Sequence, residues 1–197
     1  MKNFPMLDLK REYAFMKDHI DGAIRKCLDH QQWIMGPEVK ELEDNIAVYL
    51  GAKHCVGLSS GTDALVLSLR ALAIMLKDQE YFDRSDEIIT TPFTFTATGD
   101  AILRAGATPV FVDIDAETYN LDATKLAAAI TPRTKAIIPV HLYGQMADMD
   151  AIMAVARAKG LIVIEDACQA IGAEWNGKRA GSIGDYGCFS FFPSKNL

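Results

Sequence analysis

The stretch Leu161-Ile-Val-Ile-Glu-Asp166 predicts a buried strand that ends in two acids. Its apolar residues point to both faces, which is typical of a parallel sheet covered by helices on both sides. Similar runs recur along the chain, separated by helical patterns. Strands are predicted at 54–58, 87–91, 109–113, 135–140, 161–165 and 187–192, and helices at 61–77, 95–105, 122–130 and 148–159. This alternation predicts an α/β fold with a mostly parallel, doubly wound sheet.

Two helices are predicted before the first strand. The first runs from Arg11 to about Gln32, with its apolar residues on roughly one stripe. The second follows Pro37 and ends at Gly51, which are favoured residues at the start and the end of a helix. The sequence therefore predicts a helical arm, residues 1–52, that packs on the main body or on a partner subunit. Residues 53–197 would form the main domain.

Composition narrows the class of protein. The chain has 197 residues, half of them hydrophobic, and a net charge of −6. An acidic balance without basic runs argues against nucleic acid or an anionic membrane as the partner. The four cysteines form no CxxC pair, so neither a metal site nor a disulfide framework is predicted. Without an apolar signal core or a run of ~20 apolar residues, a cytoplasmic protein is expected.

Polar and aromatic residues gather in the segments that follow the predicted strands. Right-handed crossovers bring such segments to one rim of a parallel sheet, where ligands bind. The segments are Ser59–Asp63, Thr91–Phe95, Asp113–Asp115, His141–Gly144, Asp166–Gln169 and Ser190–Lys195. The sequence therefore predicts a site at this rim. For His141 a structural hydrogen bond is favoured over a substrate contact.

The segment Ser59-Ser-Gly-Thr-Asp63 opens a helix after a predicted strand. Backbone N–H groups and the helix dipole at such a turn attract a phosphate, and Ser190 could donate to the same group. An ordinary N-cap is the alternative, because Ser60 and Asp63 resemble a capping box. The segment matches neither a Walker loop nor GxGxxG, so it does not indicate a nucleoside triphosphate or a dinucleotide.

Four further residues suggest a flat, carbonyl-bearing ring, and three of them have a second interpretation. Lys195 could form a Schiff base with a carbonyl, or it could be a solvated surface lysine. Asp166 could keep a ring nitrogen protonated, or it could cap the next helix. Phe95 could stack on a ring or pack in the core, and Gln169 could reach a ring substituent.

Taken together, these residues indicate pyridoxal 5′-phosphate as cofactor. In this hypothesis each part of the cofactor has its own partner on the rim. Lys195 takes the aldehyde and is the catalytic residue, Asp166 the ring nitrogen, Phe95 the ring face, Gln169 a ring substituent, and Gly61, Thr62, Asp63 and Ser190 the phosphate. No metal is expected.

Several stretches also resemble the DegT/DnrJ/EryC1/StrS family of sugar aminotransferases. They include Trp33-Ile-Met-Gly-Pro-Glu-Val39, Ser60-Gly-Thr-Asp-Ala-Leu65, Glu165-Asp-Ala-Cys-Gln-Ala-Ile-Gly-Ala173 and Ser190-Phe-Phe-Pro-Ser-Lys195. The resemblance implies an aspartate-aminotransferase-like fold (fold type I) and supports the cofactor roles above. It also implies a nucleotide-linked keto sugar as acceptor, glutamate as the expected amino donor, and a homodimer for the full-length form. The products would serve polysaccharide, O-antigen or other amino-sugar biosynthesis.

Two finer points follow from the resemblance. The stretch from Thr118 to Ile152 is similar to members that aminate 3-keto sugars on UDP, so a 3-keto position is favoured over a 4-keto position. One branch of the family has a histidine in place of the lysine and dehydrates sugars. Lys195 therefore favours transamination.

The sequence stops two residues after Lys195, whereas family members continue for a comparable length. The rest of the large domain and the smaller C-terminal domain would then be absent. Three hypotheses remain: a fragment of a full aminotransferase, one half of a split enzyme, or a binding or regulatory module without turnover.

Overall fold

The structure, a computed structural model, describes residue 5 and residues 7–195. It divides into two compact units. The first contains the described residues up to Gly57 together with Phe192–Ser194, and the second contains Leu58–Phe191 together with Lys195. None of the helices in the described residues is long and apolar enough to cross a membrane.

The first unit contains two helices, α1 (Leu9–His30) and α2 (Pro37–Leu50). Asp8 caps α1 because its side chain accepts a hydrogen bond from the backbone N–H of Arg11. Gly51 ends α2 with a φ of 67°, a left-handed conformation that glycine adopts without strain. Both predicted helices are thus present. The packing of this arm on the main domain stays a prediction.

The predicted strand at 54–58 is wrong, since these residues form no strand. A strand needs a neighbour to pair its backbone. Here the N–H of Gly57 donates instead to the side chain of Glu43, at 2.7 Å from N to Oε1. Val56 is 70% exposed, so the apolar run is not buried either.

The second unit is built on a five-stranded sheet in the order β2-β1-β3-β4-β7, with every neighbouring pair parallel. The strands are β1 (Glu87–Thr90), β2 (Thr108–Phe111), β3 (Thr134–Ile137), β4 (Ile162–Asp166) and β7 (Tyr186–Cys188). The helices are α3 (Gly61–Lys77), α4 (Ala97–Arg104), α5 (Ala123–Ala129) and α6 (Met149–Lys159), with a short 3₁₀ turn at Leu142–Gly144. The predicted α/β fold with a mostly parallel sheet is confirmed.

Consecutive residues on the central strands enter different hydrophobic clusters, as the two-residue period of a strand requires. Ile88 and Ile164 pack in one cluster, whereas their neighbours Ile89 and Val163 pack in the other. The first cluster includes Leu65, Leu69 and Leu72 of α3 and Ile102 of α4; the second includes Leu126 of α5 and Met149 and Ile152 of α6. Helices therefore cover the sheet on both faces.

The last strand is shorter than the predicted 187–192, because β7 ends at Cys188. The carbonyl of Cys188 accepts the N–H of Ala167 at 2.9 Å, and the chain then leaves the sheet. A hairpin that was not predicted lies between β4 and β7. It pairs β5 (Glu174–Trp175) with β6 (Lys178–Arg179) through a turn at Asn176-Gly177.

Candidate functional site

The carboxyl ends of the parallel strands carry most of the predicted site residues. Asp166 is the last residue of β4, and Gln169 lies three residues beyond it. Phe95 lies between β1 and α4, and Ser190 and Lys195 follow β7. All of these residues belong to the second unit.

Asp166 is 6% exposed and accepts hydrogen bonds on both carboxylate oxygens. Thr98 Oγ1 donates to Oδ2 at 2.8 Å, and the backbone N–H of Cys168 donates to Oδ1 at 3.3 Å. Both donors are neutral, and within the described residues no lysine, arginine or histidine forms an ion pair with this carboxylate. Residues 167–173 form turns and no helix, so Asp166 does not cap a helix. It is a buried carboxylate without a cation.

Gly61, the first residue of α3, lies against the segments that follow β4 and β7. A Cβ atom placed on Gly61 would lie 2.7 Å from Cys168 Sγ and 2.9 Å from Ser190 Cβ. Any larger residue would push these two side chains away. The close approach brings the start of α3 next to Ser190, which is what the predicted phosphate site requires.

The alternative interpretation of Ser60, an N-cap of α3, is confirmed. Ser60 Oγ accepts the N–H of Asp63 at 3.0 Å, and the Asp63 carboxylate accepts the hydroxyls of Ser59 and Ser60 at 2.6 and 2.9 Å. These hydroxyl donors lower the pKa of Asp63. The N–H groups of Gly61 and Thr62 form no hydrogen bond to another described residue, as expected in the first turn of a helix.

Gln169 holds the turn that follows β3. Its Oε1 accepts the backbone N–H of Tyr143 at 2.9 Å, and Tyr143 has a positive φ of 55°. This hydrogen bond occupies the side-chain oxygen of Gln169, so its amide NH₂ group points away from Tyr143. This orientation is compatible with donation to an oxygen on a ring.

Phe95 is 67% exposed, so it is not a core residue. Its backbone carbonyl accepts the N–H of Thr98 at 3.2 Å, at the beginning of α4. A fixed backbone with an exposed aromatic ring is the arrangement that stacking on a flat ligand needs.

Lys195 is partly buried and lies near Cys168. Burial raises the pKa of the Cys168 thiol, the Asp166 carboxylate beside it raises the pKa further, and the positive charge of Lys195 opposes this rise. The thiol therefore stays protonated and is a poor nucleophile. Asp166 and Lys195 thus each lie close enough to Cys168 to act on its thiol, in opposite directions.

Glu165, next to Asp166, lies in a different network. It is fully buried and accepts hydrogen bonds from His141 Nε2 at 2.8 Å and from the backbone N–H groups of Gly181, Ile183 and Gly184 at 2.6–2.8 Å. His141 Nδ1 accepts the N–H of Ala147 at 3.2 Å. The proton of the neutral ring is therefore on Nε2, which donates the hydrogen bond to Glu165. His141 is 0% exposed, which confirms the structural role favoured for it.

Sequence reasoning missed Thr98 and Cys168 as neighbours of the site. Thr98 follows Thr94 by four residues, and Cys168 follows Asp166 by two. The spacing in the Thr94–Thr98 pair gives one shared helical face, but nothing in the sequence indicates that this face meets Asp166, 68 residues away.

Outside the sheet, Cys27, His30 and Glu38 have side-chain donor atoms within 4.8 Å of one another. His30 Nε2 bonds to Glu38 Oε1 at 3.0 Å, and His30 Nδ1 accepts the N–H of Gln32 at 3.0 Å. Glu38 also pairs with Lys26 at 3.4 Å. Hydrogen bonds within the cluster account for the arrangement.

The fold is an α/β domain with Asp166 at the end of a central strand, and a comparison with protein families gives its class. A model described as the DegT/DnrJ/EryC1/StrS aminotransferase family matches residues 15–197. The chain belongs to this family.

Among the relatives that are more than half identical to the chain, two are named as aminotransferases of UDP sugars. UDP-N-acetyl-3-dehydro-alpha-D-glucosamine 3-aminotransferase of Acidithiobacillus ferrooxidans is 54% identical over 98% of this chain and 50% of its own length. UDP-2-acetamido-2-deoxy-3-oxo-D-glucuronate aminotransferase of Pseudomonas aeruginosa is 52% identical over 97% of this chain and 51% of its own length. The chain thus spans about half the length of the curated relatives it matches.

Solved structures agree on the fold. S. venezuelae DesV in complex with a ketimine intermediate has a TM-score of 0.92 and 41% identity, over 100% of this chain and 51% of that chain. NtdA from Bacillus subtilis with bound cofactor PMP has a TM-score of 0.81 and 36% identity, over 92% of this chain and 40% of that chain. The predicted aminotransferase-like fold is confirmed.

Proposed function

We propose that this chain forms the cofactor-binding part of a pyridoxal 5′-phosphate-dependent aminotransferase. The acceptor is a keto group on a nucleotide-linked sugar, and glutamate is the amino donor. One observation carries the proposal: Asp166 is a buried carboxylate at the end of β4 whose two donors are neutral. A buried charge of this kind is costly unless a cation joins it, and a protonated ring nitrogen is such a cation.

Each residue of the rim has a separate task. When bound, the cofactor supplies an electron-withdrawing ring and a carbonyl carbon that carries the amino group. Lys195 Nζ would bind this carbon covalently and, once released, would move a proton to and from the donor Cα. Asp166 would hold the proton on the ring nitrogen, Phe95 would cover the ring face, and the Gln169 amide would donate to a ring oxygen.

The start of α3 would hold the phosphate. The N–H groups of Gly61 and Thr62 form no other hydrogen bond within the described residues, and Ser190 lies beside Gly61. Asp63 fits the phosphate less directly. Its N–H is used by Ser60 and its carboxylate is negative, so we propose that it orders the turn instead of touching the phosphate.

The sugar is proposed from the relatives. Two relatives that are more than 50% identical are named for 3-dehydro or 3-oxo sugars on UDP, which supports a 3-keto UDP sugar. We also propose that the whole protein is a cytoplasmic homodimer that serves polysaccharide or other amino-sugar biosynthesis. Side chains of the first unit such as Phe15 and Ile34, each 91% exposed, support cover by further protein.

The test is covalent trapping. The purified chain is mixed with pyridoxal 5′-phosphate, reduced with borohydride and digested, and the mass of the cofactor is located by peptide sequencing. We expect the adduct on Lys195, no adduct there in Lys195→Ala, and no change in the exposed control Lys159→Ala.

Three results would contradict the proposal. A folded chain that gives no adduct would exclude cofactor binding by this chain. An adduct spread over many surface lysines would show unspecific reaction. Binding at Lys195 without amination of a 3-keto UDP sugar, by the full-length protein in the presence of glutamate, would leave a binding module and exclude the proposed acceptor.

A further inference from the structure

Thr98 occupies a central position in the described part of the site. It is 0% exposed and lies in the first turn of α4. Its Oγ1 is 2.8 Å from Asp166 Oδ2, 2.9 Å from Thr94 Oγ1 and 3.3 Å from the carbonyl oxygen of Phe95. A buried hydroxyl with three polar neighbours has a definite orientation.

The direction of these hydrogen bonds follows from the number of protons. A threonine hydroxyl donates one proton and accepts with its lone pairs. Of the two acceptors, the Asp166 carboxylate is closer and charged, and hydrogen bonds to charged groups are the stronger ones. Thr98 therefore donates to Asp166. Its oxygen is left to accept from Thr94, which gives a chain Thr94 to Thr98 to Asp166.

The same residue also holds the loop that carries Phe95. The backbone N–H of Thr98 donates to the carbonyl of Phe95 at 3.2 Å. Through its side chain Thr98 contacts the carboxylate at the end of β4, and through its backbone it fixes the residue beside the proposed ring face. Thr98 thus fixes the Asp166 carboxylate and the backbone of Phe95 relative to each other.

We propose that Thr98 is a positioning residue for the cofactor, acting through Asp166, with Thr94 orienting its hydroxyl. The inference rests on the proposed function, because it takes Asp166 as the partner of the ring nitrogen. The hydroxyl holds one carboxylate oxygen and stabilises its charge, so the other oxygen stays aimed at the ring. Without the hydroxyl the carboxylate loses the donor that holds its Oδ2 atom.

The test measures binding of two ligands to the purified chain. One is pyridoxamine 5′-phosphate, and the other is its analogue with a carbon in place of the ring nitrogen. Neither needs the covalent bond to Lys195. Dissociation constants are measured by calorimetry for the parent chain, Thr98→Val, Thr98→Ser and Thr94→Val. Thermal unfolding of each variant checks that it is folded.

We expect Thr98→Val to weaken binding of pyridoxamine 5′-phosphate about 10-fold or more, the typical effect of losing a hydrogen bond to a charged group. The same change should leave the affinity for the carbon analogue within about twofold, because that ligand has no nitrogen for Asp166 to hold. Thr98→Ser keeps the hydroxyl and should restore most of the affinity. Thr94→Val should have a smaller effect in the same direction.

The outcomes separate the two proposals. Equal weakening for both ligands would show that Thr98 has only a structural role and would overturn the inference. No weakening for either ligand would overturn it as well. If the folded parent chain binds neither ligand, or binds both equally, the assignment of Asp166 to the ring nitrogen fails, and the proposed function fails with it.

Discussion

Glu165 and Asp166 are neighbours at the end of β4, and their carboxylates have opposite surroundings. Glu165 accepts four hydrogen bonds, from a histidine ring and three backbone N–H groups, and is fully buried. Asp166 accepts one hydroxyl and one backbone N–H, both neutral and at opposite ends of its carboxylate. The same chemical group is thus used in two ways within one peptide unit.

The difference in hydrogen-bond donors indicates that Glu165 stabilises the fold, whereas Asp166 is the candidate for function. Glu165 joins the 181–184 turn to β4 and to His141, and its hydrogen bonds offset the cost of burial. Asp166 accepts only from Thr98 and Cys168 among the described residues, and burying a carboxylate with so few donors costs stability. A carboxylate of this kind is the group that a ligand is expected to satisfy.

The largest expected effect is on stability. Glu165→Ala removes the acceptor of four donors and leaves them buried, so the free energy of unfolding should fall by about 3–5 kcal/mol. Urea unfolding followed by circular dichroism measures it. The matched control is Glu174→Ala, since Glu174 is exposed and 3.6 Å from Arg179, and it should change stability by about 0.5 kcal/mol or less. Equal losses in both variants would show that the four hydrogen bonds of Glu165 add nothing to stability beyond those of an exposed acid.

A second prediction concerns Asp166, whose replacement should affect ligand binding without lowering stability. Asp166→Asn removes a buried charge that lacks a cation, so the chain should be as stable as the parent or slightly more stable. Affinity for pyridoxamine 5′-phosphate should fall about 100-fold, since an amide cannot hold the proton on the ring nitrogen. Calorimetry with the same protein measures both quantities. A variant that loses stability and keeps its affinity would place Asp166 with Glu165 as a structural residue.

The sequence was enough to predict the class of fold and the rim. Runs such as 161–165 are apolar on both faces and short, and only a sheet covered on both sides buries them. The order of strands and helices then places Asp166 beyond the predicted strand 161–165 and Lys195 beyond the predicted strand 187–192. Helix boundaries followed from caps such as Ser60 and Gly51, whose chemistry is local.

Contacts between distant segments could not be predicted in this way. The largely apolar run 54–58 predicts a strand, but strand pairing depends on a neighbour that the sequence pattern does not show. The bond from Thr98 to Asp166 joins residues 68 positions apart and depends on how α4 packs on the sheet. The hairpin at Asn176-Gly177 is a local feature that was also not predicted. Asn-Gly is a known hairpin signal, but the flanking strands have two residues each, which is too short to show an alternation of apolar and polar residues.

The smallest expected effect is the part of the pH dependence of stability that Glu165 contributes. Burial raises the pKa of Glu165, but the hydrogen bonds from His141, Gly184 and Gly181 outweigh it and leave the pKa below its ordinary value of 4.5. A lowered pKa in the folded state stabilises the protein above about pH 4.5, and this stabilisation is lost as the pH falls through the folded-state pKa.

The measurement is the difference in the free energy of unfolding between the parent chain and Glu165→Gln. It should stay constant from about pH 7 to 5 and shrink below about pH 4.5, with Glu174→Gln correcting for the loss of one negative charge. A difference that grows on acidification would mean that the Glu165 carboxyl is neutral in the folded protein. His141 would then have no anionic partner, and Glu165 could no longer be described as a charge that its hydrogen bonds stabilise.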